Sequence, residues 1–294
     1  MIVVISGASG LVGRGVCAKL RERGDTVLRL VRHSAVAPDE IAWDPTAGRL
    51  DAADLEGADA VVHLAGENVS SGRWNAARKR RIHDSRVAGT ELLVSRLLET
   101  SRRPVFVGAS AVGFYGDRGD TICTEETSPG EGFLSEVCVA WEAAAAPLAD
   151  EGCRVAHLRL GMVLSRSGGA LRKMLLPFRL GLGARLGNGR QWISWASHRD
   201  TVAAFVHAID RDDVTGATNL TAPHPVTNQE FTRVLARVLR RPAFLPAPAF
   251  ALKLALGEMA TQLLLSSTRV ASDRLRATGF AFEHQELEAA LRAE

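Results

Sequence analysis

The stretch IVVISGASGLVG, residues 2–13, decides the fold of this chain. A short run of apolar β-formers leads into Gly7, Gly10 and Gly13, and apolar residues then recur every four positions up to Leu20. A strand that turns through glycines into a helix is typical of a phosphate-binding turn. The missing side chains let backbone N–H groups approach a pyrophosphate at the positive end of the helix. The sequence therefore predicts a strand–helix unit with a dinucleotide phosphate site at its turn.

Further apolar runs alternate with helical patterns along the chain. Both faces of each run are apolar, as in parallel strands that helices cover on two sides. The alternation predicts an α/β fold with a Rossmann-type, doubly wound parallel sheet. The additional predicted strands are 26–31, 59–65, 104–110 and 154–160, and the crossover helices include 75–99 and 133–151.

The C-terminal part has a different pattern. Thr227 and Glu230 form a capping box that begins a helix, and three prolines between Pro242 and Pro248 follow it. We predict a Rossmann-type dinucleotide-binding domain over 1–240 and a small, mostly helical domain over 241–294 that closes over one end of the cofactor. The apolar stretch 250–265 is too short to span a bilayer and predicts a buried or interface helix.

Composition narrows the class of partner. The 36 basic and 33 acidic residues give a net charge of only +3, which favours a small-molecule ligand over nucleic acid or a membrane. A second copy of the chain, in a homodimer, is a candidate partner. The four scattered cysteines predict reduced thiols in a cytoplasmic protein, and neither they nor the eight histidines have the spacing of metal ligands. The first predicted strand starts at residue 2, so we expect no secretory leader.

The end of the second predicted strand indicates which dinucleotide binds. An NAD-binding turn usually has an acidic residue about 20 positions after the last glycine, where it holds the ribose 2′-hydroxyl. Here Arg32 stands 19 residues after Gly13, and no acidic residue occurs before Asp39. A cation at this place suits a 2′-phosphate, so we predict NADP rather than NAD. The alternative is a solvated surface arginine.

Motifs along the whole chain are shared with one protein superfamily. They include GASGLVG (7–13), WDP (43–45), LAGENV (64–69), DSRVAGT (84–90), SAVGFYG (110–116), RLGMVLS (159–165) and GEMA (257–260). On these motifs the chain resembles the extended short-chain dehydrogenases/reductases, and within them the NADP-dependent "epimerase family" that ends in a domain of unknown function. Members of this branch are often labelled nucleoside-diphosphate-sugar epimerases or cell-division inhibitors.

The resemblance implies a set of cofactor contacts. Gly7, Ser9, Gly10, Leu11, Val12 and Gly13 would form the phosphate loop, with Arg32 at the adenosine phosphate, Leu64 and Ala65 beside the adenine ribose and pyrophosphate, Arg86 near phosphate or nicotinamide-side groups, and Met162 and Val163 beside the nicotinamide.

The resemblance also shows that the usual catalytic pair is missing. In working members a tyrosine moves the proton on the substrate oxygen, and a lysine four residues later lowers the pKa of its phenol. Aligned on Glu142, these two positions hold Leu134 and Cys138. The only tyrosine, Tyr115, matches a turn residue of the family and is predicted to line the floor of the active site. Candidates for catalysis are Ser110, Tyr115, Cys138, Glu67 and Lys79, and Ala111 is an alternative to Ser110 at the usual serine position.

Three functions remain open at this stage. The chain is an NADP-dependent oxidoreductase or epimerase with another proton donor, an NADP(H)-binding protein that reports redox state without chemistry, or an interaction protein on a nucleotide-binding fold. The retained glycines and Arg32 favour the first two. Trp192 and Trp195 follow the loop where the family places its substrate, so they are candidates for lining a substrate pocket.

Overall fold

The computed structural model describes residues 1–294 and contains a parallel sheet of seven strands. The strand order is β12-β7-β5-β4-β1-β2-β3, so β1 lies near the middle and the strand order reverses beside it. The seven strands are β1 Ile2–Ser6, β2 Thr26–Val31, β3 Glu40–Ala42, β4 Ala60–His63, β5 Val105–Ala111, β7 Val155–Leu160 and β12 Gly216–Leu220. This is the predicted Rossmann-type α/β architecture.

Eight further strands form short two-stranded pairs outside the main sheet. They pair as β10 with β13, β11 with β8, β14 with β9, and β15 with β6. Their bounds are β6 Ile122–Cys123, β8 Met162–Leu164, β9 Ala184–Leu186, β10 Trp192–Ile193, β11 Trp195–Ser197, β13 Val226–Thr227, β14 Leu245–Ala247 and β15 Arg269–Val270.

Ten α-helices accompany the strands. They are α1 Leu11–Arg23, α2 Ala76–Glu99, α3 Phe133–Ala143, α4 Ala146–Asp150, α5 Gly169–Arg179, α6 His198–Asp210, α7 Asn228–Leu239, α8 Ala249–Leu256, α9 Asp273–Ala277 and α10 Leu287–Ala293. Short 3-10 turns cover Ala52–Leu55 and Val112–Tyr115, and a π-helical turn covers Ala260–Leu264. No helix combines the length and the apolar character that crossing a bilayer requires.

The core explains why the strands are apolar on both faces. Val3 and Ile5 of β1 are fully buried in a cluster with α1 and α6, whereas Val4 is fully buried in a second cluster with α2. Side chains of a strand alternate between its two faces, so a strand covered on both sides needs apolar residues throughout. The apolar runs from which the doubly wound sheet was predicted are therefore what packing on both faces of the sheet requires.

Several local predictions are corrected by the structure. The strands β3 and β12 at the two edges of the sheet were not predicted. The predicted helix 133–151 is divided into α3 and α4, and Thr227 caps α7 as the capping box indicates. The stretch 250–265 is not one buried helix, because α8 contains no buried residue and a π-helical turn, in which Ala260 is buried, follows it. The alternative of an interface helix stays a prediction.

Candidate functional site

The carboxyl ends of β1 and β4 are joined by a buried hydrogen-bond network. The Ser6 hydroxyl accepts from the backbone N–H groups of Leu64 (3.1 Å) and Ala65 (3.2 Å), and it therefore donates to Nδ1 of His63 (2.7 Å). The proton of the neutral His63 ring then sits on Nε2, which has no hydrogen-bond partner. Burial, together with the neighbouring His157 and Arg86, lowers the pKa of His63 to about 3. The network fixes the backbone on which the glycine turn rests.

A side chain would collide with the backbone at Gly7 and Gly13, and at Gly10 a Cβ would lie 3.1 Å from the Gly7 carbonyl oxygen. Gly7 has φ +70°, and a Cβ there would lie 2.7 Å from the backbone carbon of Leu64. A Cβ on Gly13 would overlap the carbonyl oxygen of Gly7, and the Gly10 N–H donates to that same oxygen (2.9 Å). Such a tight turn presents main chain at its surface, so an anion could approach closely.

The first turn of α1 is free to receive an anion. Gly10 is its N-cap and provides no capping side chain, and the turn contains no acidic residue. The N–H groups of Leu11, Val12 and Gly13 therefore have no side-chain acceptor, while Arg14 ties the loop to the carbonyl of Ser9 (2.8 Å). The glycine turn and the uncapped first turn of α1 together fit a pyrophosphate.

Arg32 lies at the same edge of the sheet. It follows the last residue of β2, is exposed, and forms no ion pair. Arg29 on the same strand, by contrast, is held by Asp39 (2.8 Å) and Glu40 (3.1 Å). Arg32 is therefore available to a ligand, although its role as the 2′-phosphate contact stays a prediction.

A cavity of about 1040 Å³ opens beyond the carboxyl ends of β5 and β7. The Leu11 side chain connects it to the glycine turn, because Leu11 lines the cavity and lies against Gly168 before α5. Met162 and Val163 of β8 also line it, as do Ser110, Cys138 and Arg86. Six of the residues that the sequence singled out thus come together in one cavity.

A buried polar network forms beneath Ser110. The Ser110 hydroxyl donates to Oε1 of Glu142 (2.6 Å), and Glu142 holds Arg159 through two hydrogen bonds of 2.8 Å. Burial lowers the pKa of Arg159, but the hydrogen bonds and charge of Glu142 more than offset this and raise it above its ordinary value. Because the Ser110 proton is directed at Glu142, only the lone pairs of its oxygen can face the cavity.

Tyr115 belongs to this network and not to the cavity. Its hydroxyl donates to Asn219 (2.6 Å) and accepts from Arg159 (3.0 Å), and its side chain is fully buried. Burial raises the pKa of the phenol. The prediction that Tyr115 lines the floor of the site is wrong, since its ring is buried in an apolar cluster with Phe114, Cys123, Cys138 and Val270 and does not line the cavity.

Helix α3 places Leu134 and Cys138 on the wall of the cavity, one turn apart. Both lie near Gly113, where a Cβ would be 3.5 Å from Leu134 Cβ and 4.0 Å from Cys138 Sγ. Burial and the charge of Glu142 raise the pKa of Cys138 to about 11. The thiol is therefore protonated at neutral pH.

Glu67 and Lys79 lie outside the cavity. Glu67 pairs with Arg78 (2.9 Å), and Lys79 pairs with Glu258 (2.7 Å) while its ammonium lies 4.8 Å from the centre of the Phe133 ring. Lys79 lines a separate, shallow depression of about 210 Å³. Their ion pairs and positions separate both side chains from Ser110.

Arg86 is the most unusual charge in the cavity. Its guanidinium stacks 5.0 Å from the Trp141 ring and donates to the Ile82 carbonyl (3.0 Å), but no carboxylate pairs with it. Burial lowers its pKa. An arginine in such surroundings favours an anionic or strongly accepting ligand group.

The C-terminal part completes the cavity. Thr261, Gln262 and Leu263 line it, and Gln262 accepts from the Leu134 N–H (2.9 Å) at the start of α3. Sequence reasoning missed Gln262, because no motif marks a side chain that acts across 128 residues. Of the two candidate tryptophans, Trp192 lines the cavity and Trp195 is fully buried. No group of three or more His, Cys, Asp or Glu residues is arranged to hold a metal ion.

The fold and this edge of the sheet define a nucleotide-binding protein of the short-chain dehydrogenase/reductase type. The chain belongs to the NAD dependent epimerase/dehydratase family, whose profile matches residues 3–222. A second match, to a domain of unknown function called DUF1731, covers residues 247–294. The family resemblance deduced from the motifs is confirmed.

Relatives match the chain from end to end. An epimerase family protein of Mycobacterium bovis is 42% identical over 99% of this chain and 96% of its own length. The crystal structure of human epimerase family protein SDR39U1 with NADPH superposes with a TM-score of 0.91 at 34% identity, covering 100% of this chain and 98% of that one. The crystal structure of a nucleoside-diphosphate sugar epimerase from Corynebacterium glutamicum superposes with a TM-score of 0.83 at 36% identity. This match covers 99% of this chain and 57% of that one.

Proposed function

We propose that this protein binds NADP(H) along the carboxyl edge of the sheet and uses it in hydride exchange with a small molecule held in the cavity. The observation that carries the proposal is the continuity, through Leu11, between the glycine turn and a cavity of about 1040 Å³. The similarity to a human protein whose crystal structure contains NADPH supports the choice of cofactor. The bound cofactor would supply or accept the hydride.

The chain would hold the cofactor through three features. The Gly7–Gly13 turn and the first turn of α1 would bind the pyrophosphate, Arg32 would pair with the 2′-phosphate, and Met162 and Val163 would border the nicotinamide side. Arg86, which has no ion-pair partner, would attract an anionic or carbonyl group on the cavity side. These side chains bind and orient, and they contribute no proton.

Cys138 is the proton donor in this proposal. Of the five candidate catalytic residues only Ser110 and Cys138 line the cavity. The Ser110 proton is held by the Glu142 carboxylate at 2.6 Å, whereas the Cys138 thiol makes only a long hydrogen bond of 3.7 Å to the Ala111 carbonyl and can exchange it for a ligand oxygen. A thiol with a pKa of about 11 carries its proton at neutral pH, close to the value of an ordinary phenol at about 10. As hydride adds to a carbonyl carbon, Cys138 would protonate the oxygen and then recover its proton from solvent. Ser110 would accept a hydrogen bond from the resulting alcohol.

A second candidate function is NADP(H) binding without chemistry. The observation that favours it is the wall formed by Leu134 and Cys138, which offers neither a phenol nor an amine beside Ser110. In that case the cavity would bind a ligand or a partner's side chain and report the redox state of the cofactor.

The cofactor claim is tested by fluorescence titration of NADPH and NADH into wild type, Arg32→Glu and a control, Arg274→Glu. Arg274 is also exposed and without an ion pair, but it lies on α9. We expect Arg32→Glu to lose at least about tenfold in NADPH affinity, or about 1.4 kcal/mol, with NADH affinity unchanged. Equal affinities in all three proteins would remove Arg32 from the site.

The hydride-transfer claim is tested by NADPH oxidation over panels of carbonyl compounds and sugar nucleotides. With an active compound, Cys138→Ala should lower the rate at least about a hundredfold, in the range that general acids contribute, whereas Cys153→Ala should not. Cys153 is a matched control, since it is buried but lies outside the cavity. An unchanged rate in Cys138→Ala would exclude the thiol. Background rates throughout, with tight NADPH binding, would favour the second candidate.

A further inference from the structure

The exposed large apolar side chains of this protein are concentrated in two segments. Seven of the twelve that the structure exposes belong to residues 172–190 and 240–256, and Phe244, Phe250 and Leu254 have exposed fractions of 80%, 74% and 77%. The other four are Leu176, Leu180, Leu182 and Leu245. Helix α8, AFALKLAL, is strongly apolar and yet contains no buried residue. Exposed apolar clusters of this kind mark interaction surfaces.

The two segments lie side by side and form one surface. Strand β14 pairs with β9 in parallel, with Leu245 beside Ala184 and Ala247 beside Leu186. The Gly187 N–H extends this pairing by donating to the Ala247 carbonyl (2.8 Å). We call the exposed side chains of 172–190 and 240–256 the apolar–basic surface.

The charge of the apolar–basic surface has a single sign. The two segments contain eight basic residues and no acidic one; seven of the eight are exposed and Arg185 is half-buried. None of the eight forms an ion pair, whereas arginines elsewhere, such as Arg23 and Arg292, are paired with carboxylates. The eight are Arg172, Lys173, Arg179, Arg185, Arg190, Arg240, Arg241 and Lys253.

We propose that the apolar–basic surface docks on an anionic phospholipid membrane. A cluster of exposed cations without ion pairs attracts an anionic partner. The exposed Phe250 and Leu254 of α8, and Phe244 before it, suit an apolar one. The boundary between headgroups and acyl chains of an anionic bilayer offers both. A nucleic acid would satisfy the arginines but would leave Phe244, Phe250 and Leu254 in water.

The position of the cavity is consistent with this partner. Lys173, Pro177 and Leu182 line the cavity and also belong to the segment that carries the surface. A ligand could therefore enter from the bilayer along apolar side chains. The docking proposal does not depend on hydride transfer, and it holds whether or not the cavity is catalytic.

The low net charge of the whole chain gives no indication of the positive charge of this surface. The net charge of +3 favours no membrane partner, because acidic residues in the rest of the chain offset the local excess of eight. Each Lys or Arg close to an anionic membrane surface strengthens binding there, and the effect falls off within a Debye length. Local charge therefore decides the interaction.

The test is co-sedimentation of the full chain with vesicles of phosphatidylglycerol and, separately, of phosphatidylcholine. We expect binding to the anionic vesicles only, and a loss of at least about tenfold in Arg179→Glu/Arg241→Glu and in Phe250→Ser/Leu254→Ser. The matched control is Arg103→Glu/Arg274→Glu, which changes net charge equally at exposed positions away from the surface. The control should bind like wild type.

Two results would overturn the proposal. One is the absence of binding to either vesicle, or equal loss in the control and the Arg179/Arg241 variant, which would indicate a net-charge effect. The other is a dimer in analytical ultracentrifugation that Phe250→Ser/Leu254→Ser dissociates, because a second copy of the chain would then cover the surface. Circular dichroism and NADPH titration of each variant check that it is folded.

Discussion

The glycine turn and the buried polar network beneath Ser110, which we call the floor, lie at the same edge of one sheet. They differ in which atoms form them. The turn is formed by backbone atoms, which can pack closely because Gly7, Gly10 and Gly13 have no side chains. The floor is formed by side chains: Glu142 and Arg159 come from different elements and meet in a buried ion pair. The turn is therefore local in sequence, and the floor is not.

This difference separates binding from stability. The first turn of α1 has no side-chain cap, so its N–H groups are available to a ligand. The side chains beneath Ser110 instead satisfy one another and have little hydrogen-bonding capacity left for a substrate. We therefore expect changes in the floor to affect folding first, and changes in the turn to affect NADPH binding as well. Three predictions test this separation, from the largest expected change in the free energy of unfolding to the smallest.

The largest effect should follow from Arg159→Met. It leaves the Glu142 carboxylate buried without its cation and removes a hydrogen bond from the Tyr115 hydroxyl. Breaking a buried ion pair in this way costs about 3–5 kcal/mol. Urea denaturation should show this loss, while NADPH affinity measured below the unfolding transition should change less than about threefold, or roughly 0.6 kcal/mol.

A surface ion pair provides the control. Arg199 pairs with Glu283 at 3.0 Å, and both side chains are largely exposed, so Arg199→Met should cost less than about 1 kcal/mol. If Arg159→Met is as stable as this control, or if it loses NADPH binding with full stability, then the floor does not serve folding as described.

The next effect should follow from Gly13→Ala, which changes the turn. The new Cβ would overlap the Gly7 carbonyl oxygen and lie 2.9 Å from Ala8 Cα, both of which are backbone atoms that cannot turn aside. We expect a loss of about 2–3 kcal/mol from overpacking. Because the turn itself must shift, NADPH affinity should also fall at least about a hundredfold, or roughly 2.7 kcal/mol.

Gly24→Ala is the matched control at the other end of α1. Gly24 has φ +93° but nothing within 4 Å of an added Cβ, so only backbone strain of about 1–2 kcal/mol is expected. NADPH binding should be unchanged. Equal NADPH affinity in Gly13→Ala and wild type would show that the turn does not hold the cofactor.

The same difference explains how much the sequence could predict. The strand 26–31 and the glycine turn were predicted with their bounds, because apolar β-formers and glycines act on their immediate neighbours. The edge strands β3 and β12 were missed. β3 has only three residues, and β12, GATNL, begins with Gly, Ala and Thr and so lacks a continuous apolar run.

The residues of the site show the same difference between local and distant contacts. Leu11, Met162 and Val163, to which the family resemblance assigns cofactor contacts, all line the cavity and lie at or next to strand or helix ends. The cofactor contacts themselves stay predictions. Tyr115 was misplaced because nothing in SAVGFYG shows that Asn219, 104 residues later, binds its hydroxyl. Side chains that meet across distant segments leave no local pattern in the sequence.

The smallest of the three effects concerns pH and the support of the glycine turn. His63 has a pKa of about 3 in the folded protein because burial disfavours its charged form, against an ordinary value of 6.5. The unfolded chain therefore takes up a proton at His63 as the pH falls below 6.5, and the folded chain does not. Stability falls with pH through this window, by about 2 kcal/mol between pH 7 and pH 5 from this group alone.

His63→Asn isolates this contribution, because its amide oxygen can still accept from Ser6 but does not titrate. The other acid-sensitive groups, including His157 with its lowered pKa, remain in both proteins and cancel in the difference. Urea denaturation at both pH values should show wild type losing about 2 kcal/mol more than the variant. Equal losses would mean that His63 can be protonated in the folded state. The ends of β1 and β4 would then be open to water, and the turn would not rest on a dry, fixed backbone.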